Sequence, residues 1–120
     1  EIELESMSKN SLQLDSIDSV TANIESISLN KNQSIIVTLG STGVFINHAN
    51  KQEFIEGHNV EAIDTTGSGD CFVGALASSL VKNENLFDAA AYANKAAALS
   101  VTKRGASASM PTHQDVLKFL

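Results

Sequence analysis

In the stretch DSIDSVTANIESISLN, residues 15–30, apolar positions recur at steps of three and four: Ile17, Val20, Ile24 and Ile27. That spacing draws one apolar stripe along a helix and leaves acids and serines on its other side. A shorter helix is predicted before it, over residues 2 to 8. At SIIVTLG the period changes. Ile35, Ile36 and Val37 are consecutive and β-branched, the pattern of a strand buried on both faces. A turn at Gly40–Gly43, a strand VFIN, a turn HANKQ and a half-exposed strand EFIE follow. NVEAIDTTGSGD is predicted to run from a short strand into a glycine turn.

Beyond the turn, CFVGALASSLV is apolar and small, and Gly74, Ala75 and Ala77 predict a helix that packs close to a sheet. LFDAAAYANKAAALSV has high helix propensity. KRGAS ends it, with Gly105 suited to a left-handed conformation. In PTHQDVLKFL, Thr112 can cap a last helix, and Asp115 stands where a capping box wants its acid. This succession predicts an α/β fold, a sheet covered by helices, within one domain.

Composition narrows the classes. The 120 residues carry a formal net charge of −6, with Lys and Arg scattered apart from Lys103-Arg104. No basic face is available for nucleic acid or an acidic membrane. No apolar run approaches a bilayer span, and the acidic N-terminus has no leader pattern. The single cysteine, Cys71, allows no internal disulfide and fits a reducing compartment. A soluble, cytoplasmic protein is expected. His48, His58 and His113 show no metal-ligand spacing, and Cys71 reads as a small core residue.

The chemistry is concentrated in DTTGSGDCF, residues 64–72. A strand that ends in Thr66-Gly67-Ser68-Gly69 and enters a helix at Asp70 exposes backbone N–H groups at the positive end of a helix dipole. That is an anion site. Glycine lets a phosphate come close to the backbone. A carboxylate at Asp70 would compete with that anion, unless it takes a proton from the hydroxyl that attacks the phosphate. The bland reading is a glycine turn with Asp70 as a helix cap. A dinucleotide site wants a third glycine where Phe72 stands, and the P-loop lysine is absent.

DTTGSGDCFVGAL resembles the second signature of the ribokinase-like (PfkB) carbohydrate kinases. VTLGSTGVFI resembles the family's nucleotide-binding strand-turn-strand. AAALSVTKRGASASMPT resembles its adenine-closing, cation-holding segment. These pieces follow in family order from about residue 34 to the end. The resemblance implies the ribokinase-like α/β/α sandwich and transfer of the γ-phosphoryl of Mg·ATP to a sugar hydroxyl, D-ribose first. It implies Asp70 as catalytic base and the amides of Gly67, Ser68 and Gly69 as the anion hole. Thr38, Leu39, Gly40, Ser41, Thr42, Gly43, Gly69, Asp70 and Asn94 would line the nucleotide, Asn94 beside the adenine. A potassium-type cation would sit on Asp64 with oxygens of Thr66, Ser100, Lys103, Gly105 and Ser109, and so relieve the repulsion between Asp64 and Asp70. K⁺ would then act as an activator.

The family's N-x-x-E motif places its glutamate at Glu3, for Mg²⁺. The alternative there is a solvated acidic end formed by Glu1, Glu3 and Glu5. Members of the family are much longer, and no early Gly-Gly segment or lid hairpin precedes residue 34. Residues 1–120 are therefore expected to be the C-terminal, nucleotide-binding part, inactive alone, from a protein whose complete form admits a homodimer. The rival expectations are another family member, such as a fructokinase or nucleoside kinase, and a non-catalytic nucleotide-binding module.

Overall fold

The structure, a computed structural model, describes residues 2–7, 17–25, 27, 30, 32–82 and 84–119. Helices α1 (Ile2–Met7) and α2 (Ile17–Glu25) precede the strands β1 (Ile35–Thr38), β2 (Gly43–His48) and β3 (Lys51–Glu56). Helices α3 (Ser68–Val81), α4 (Leu86–Ser100) and α5 (His113–Lys118) complete the chain. The sheet is antiparallel in the order β1-β2-β3, with Val37 opposite Phe45 and Phe45 opposite Phe54.

Alternation along the strands builds two cores. Val37 and Phe45 face α1 and α2, where Leu4, Val20 and Ile24 meet them. The predicted stripe is thus present at Val20 and Ile24, both buried, while the Ile17 side chain and residues 15–16, 26 and 28–29 lie outside the described residues. Val44 and Ile46 face the opposite side and meet Phe72, Ala90 and Ala93 of α3 and α4. The result is the predicted α/β architecture, with a helical layer on each face of the sheet.

Four local expectations are revised. The turn HANKQ contracts to Ala49-Asn50, both at positive φ, because His48 and Lys51 already pair across the hairpin. β1 is not buried on both faces. Among the described residues it is an edge strand paired only to β2, so Val37 is buried but Ile35 and Ile36 are half-buried. Close helix packing is carried by the buried Ala89, Ala90, Ala93 and Ala96 of α4, whereas Gly74 and Ala77 of α3 point outward. No strand forms over 59–63. The N–H groups of Ile63 and Asp64 instead donate to the carbonyl of Val101 at 2.7 and 3.1 Å, an acceptor left open at the end of α4.

The last helix is capped as expected: Thr112 Oγ1 accepts from the Asp115 N–H at 3.2 Å and Asp115 Oδ2 accepts from the Thr112 N–H at 2.8 Å. Gly105 is left-handed, at φ 93°. Among the described residues no helix is long and apolar enough to cross a membrane.

Candidate functional site

The chain reaches α3 through a tight turn. Gly67 is its N-cap residue, at φ 76° and without a side-chain cap. A Cβ there would lie 3.1 Å from Ala106 Cβ, so both the left-handed backbone and the neighbouring loop require glycine. The Ser68 N–H donates to the Thr65 carbonyl at 3.2 Å, and helical bonding begins with the Cys71 N–H on the Gly67 carbonyl at 2.9 Å. The N–H groups of Gly67, Gly69 and Asp70 have no acceptor among the described residues. Of the expected anion-hole amides, Ser68 is therefore the one turned inward.

Asp70 is exposed in the first turn of α3 and has no hydrogen bond or ion pair among the described residues. The helix-cap reading of Asp70 is not realised. On the same helix face stand Val73, Ala77 and Val81, with Val73 64% and Val81 82% exposed.

A cavity of about 630 Å³ opens beside this turn. The glycine turn after β1 forms one wall, closed by Leu39 N–H to Gly43 carbonyl at 2.8 Å and Thr42 N–H to Leu39 carbonyl at 3.1 Å. Thr38, Gly40, Ser41 and Gly43 line the cavity, as do Ser68, Gly69 and Asn94. Leu39, Thr42, Gly67 and Asp70 do not. Leu39 turns away because it packs with the Val37–Phe45 core on the other face of the sheet. Asn94 is buried, and its Nδ2 donates to the Glu56 carbonyl at 2.8 Å, tying α4 to the end of β3.

The segment read as a strand becomes a strap. It leaves β3 beside Asn94, runs along α4 and joins it again at Val101, and its residues His58, Asn59, Val60 and Ala62 form much of the cavity's second wall. Sequence reasoning missed these residues. Their one local signal was Gly57, which ends the alternation of β3. Phe87 does not line the cavity; it packs at the hairpin end, with Lys51 Nζ 4.4 Å from its ring centroid.

Asp64 binds two loops together. Its Oδ1 accepts from the Thr66 N–H at 3.0 Å and its Oδ2 from the Gly105 N–H at 2.9 Å. The Thr66 hydroxyl, then these two N–H groups, hold its carboxyl down at about 2. A depressed carboxyl favours the folded loop above the ordinary carboxylate range and loses that effect as pH falls toward 2. An NMR titration should therefore find the Asp64 carboxyl still ionised at pH 3, and Thr66→Val should raise its midpoint. A midpoint near 4 in the parent chain would contradict the Asp64 contacts.

The other residues expected at the cation are distributed around this loop. Ser109 is buried and donates to the Ala106 carbonyl at 2.8 Å, and Ser100 is buried and donates to the Ala97 carbonyl at 2.8 Å. Lys103 is exposed. Glu3 is exposed on α1, in the other helical layer, and does not line the cavity. Cys71 is buried, and burial pushes its thiol up, against a weaker opposing hydrogen bond with Ser100. Among the described residues no three His, Cys, Asp or Glu side chains gather as a metal site.

A glycine-gated helix N-terminus and a glycine turn share one cavity within an α/β/α sandwich, an arrangement able to hold an anion such as a phosphate. The chain belongs to the PfkB family: the family model described as pfkB family carbohydrate kinase matches residues 1–113. Ribokinase of Haemophilus influenzae is 42% identical over 88 residues, which cover 73% of this chain and 29% of that protein. The structure of Arabidopsis thaliana ribokinase complexed with ribose and ATP superposes with a TM-score of 0.84 at 26% identity, covering 99% of this chain and 38% of that one. That of a putative ribokinase II from E. coli in complex with ATP and Mg²⁺ gives 0.80 at 29% identity, covering 99% and 36%. The chain thus spans under a third of the length of the curated relative.

Proposed function

We propose that residues 1–120 are the C-terminal, nucleotide-binding part of a ribokinase-like kinase that moves the γ-phosphoryl of Mg·ATP to a sugar hydroxyl, with D-ribose the first candidate. The observation that carries this reading is the pair of open N–H groups at Gly69 and Asp70 beside a cavity walled by the Gly40–Gly43 turn. The amides of Gly67, Gly69 and Asp70 hold the transferred phosphoryl, and amide donors aimed at developing charge are worth on the order of 10²–10³ each in rate. Asp70, free of any cap role, takes the proton of the attacking hydroxyl. Most of the rest is positioning, as phosphoryl transfer requires.

K⁺ fits the loop at Asp64, where a carboxylate, hydroxyls and carbonyls supply oxygen donors only. Asp64, with oxygens of Thr66, Ser100, Lys103, Gly105 and Ser109, would hold it, and its charge would stiffen the turn beside the anion hole. Glu3 would serve Mg²⁺ as the N-x-x-E resemblance implies, from α1 in the helical layer on the other face of the sheet.

A second reading, a nucleotide-binding module without turnover, is favoured by the bare α3 face around Asp70, Val73 and Val81, where a sugar-binding half would pack. Calorimetric titration of the chain with ATP, then NAD, in potassium and then lithium buffer tests the nucleotide site common to both readings. ATP is expected to bind, more weakly in lithium, and NAD not to bind. A folded chain that binds NAD and not ATP would overturn the proposal. Turnover upon adding the remaining part of the fold separates kinase from module.

A further inference from the structure

The cavity has two ends. The strap that walls it is tied to α4 at Asn94, through the Glu56 carbonyl, and again at Val101, through the Ile63 N–H. Between those ties α4 advances about 10 Å at ~1.5 Å per residue. Thr65, Ser68 and Gly69 follow directly after the Val101 tie, so the anion loop marks one end. His58 follows directly after the Asn94 tie and marks the other. A nucleotide laid lengthwise, with its phosphates on the loop, brings its base to His58.

Two rings line the cavity among the described residues. Phe72 is buried on α3 beside the anion loop. His58 lines the cavity together with the half-buried Ala97 and Ala98, small residues that leave room for a flat group. Behind it is Phe119, whose ring meets the imidazole at 5.2 Å between centroids and 72° between planes. Phe119 does not itself line this cavity, so it meets the imidazole from outside the nucleotide space. The Phe119 N–H is anchored to the carbonyls of Asp115 and Val116 at the end of α5. Burial, and then the nearby Lys95 ammonium, hold the His58 imidazole below its ordinary value. The lowering favours the uncharged ring, which suits a base face better than a phosphate.

We propose that His58 packs its ring against the base of the bound nucleotide, and that Phe119 is the positioning residue that holds it there. The assignment rests on the nucleotide reading of the cavity. It makes the last helix, distant in sequence from the anion loop, part of the site.

The test is calorimetric titration of the chain and its variants with ATP, adenosine and inorganic tripolyphosphate, with circular dichroism melts alongside. His58→Ala is expected to weaken ATP and adenosine about tenfold each, the scale of one lost base–aromatic stack, and to leave tripolyphosphate unchanged. His58→Phe should restore both nucleosides, and Phe119→Leu should show a smaller loss of the same pattern. Adenosine binding unchanged in His58→Ala, or tripolyphosphate lost in parallel, would overturn the assignment. A parent chain that binds tripolyphosphate but not adenosine overturns it too, while leaving the anion loop in place. A parent chain that binds none of the three removes the nucleotide reading itself, and the role of His58 with it.

Discussion

Asp70→Asn is expected to lower sugar phosphorylation by the complete kinase roughly 10²–10⁴-fold, the usual contribution of a positioned general base. The fold should be nearly indifferent to the change. Asp70 is exposed, makes no hydrogen bond or ion pair among the described residues, and leaves the N-cap position to Gly67. What the fold loses is one carboxylate near a helix N-terminus, worth about 0.3–1 kcal/mol. ATP affinity should hold or rise, because an anion beside the triphosphate has been neutralised. The signature is thus a fall in kcat with KM for ATP maintained, read by a coupled assay for ADP release and by calorimetry. Retained turnover would take the base role from Asp70. Lost ATP binding would instead make it a structural residue of the turn.

Gly43→Ala is expected to have the largest effect on stability. A Cβ at Gly43 would lie 2.1 Å from the Ile55 carbonyl oxygen and 2.8 Å from the Gly57 nitrogen, and φ is 133°. Both obstacles are backbone, so no side chain can swing aside. Overpacking and backbone strain together are worth about 3 kcal/mol or more, a large share of the ~5–15 kcal/mol that keeps a domain folded. Urea unfolding of the chain should show the loss. Gly40→Ala is the control, since Gly40 is also left-handed, at φ 56°, but a Cβ there meets nothing within 4 Å. It should cost about 1 kcal/mol, the strain alone. Equal losses in the two variants would refute the argument from close approach. Because β2 starts at Gly43 and the turn before it lines the cavity, Gly43→Ala should weaken ATP binding as well.

The parts of the fold legible beforehand are those whose causes are local. The stripe at Val20 and Ile24, the alanine-rich α4, the left-handed Gly105 and the reciprocal cap between Thr112 and Asp115 each depend on residues within a few positions of one another. The glycine turn and its helix were legible for the same reason, since only glycine accepts φ 76° at position 67. The proposal of Asp70 as a base came from a conflict of charges visible in the sequence. The structure adds that no cap competes for it.

What the sequence could not reveal depends on partners far along the chain. NVEAI has the apolar spacing of a strand, yet it pairs with no strand among the described residues. The Val101 carbonyl at the end of α4 took its N–H groups instead, and so made a cavity wall from a segment read as sheet. The same distance hid His58, whose neighbour Phe119 is contributed by the last helix. By itself the sequence determined the helices, the hairpin, the caps and the glycine turn of DTTGSGD, because each follows from backbone preference within one turn of chain. Only the tertiary structure decided which amides remain open, which helix face is bare and which rings line the cavity. Those depend on hydrogen-bond acceptors and packing surfaces that exist only once distant segments have met.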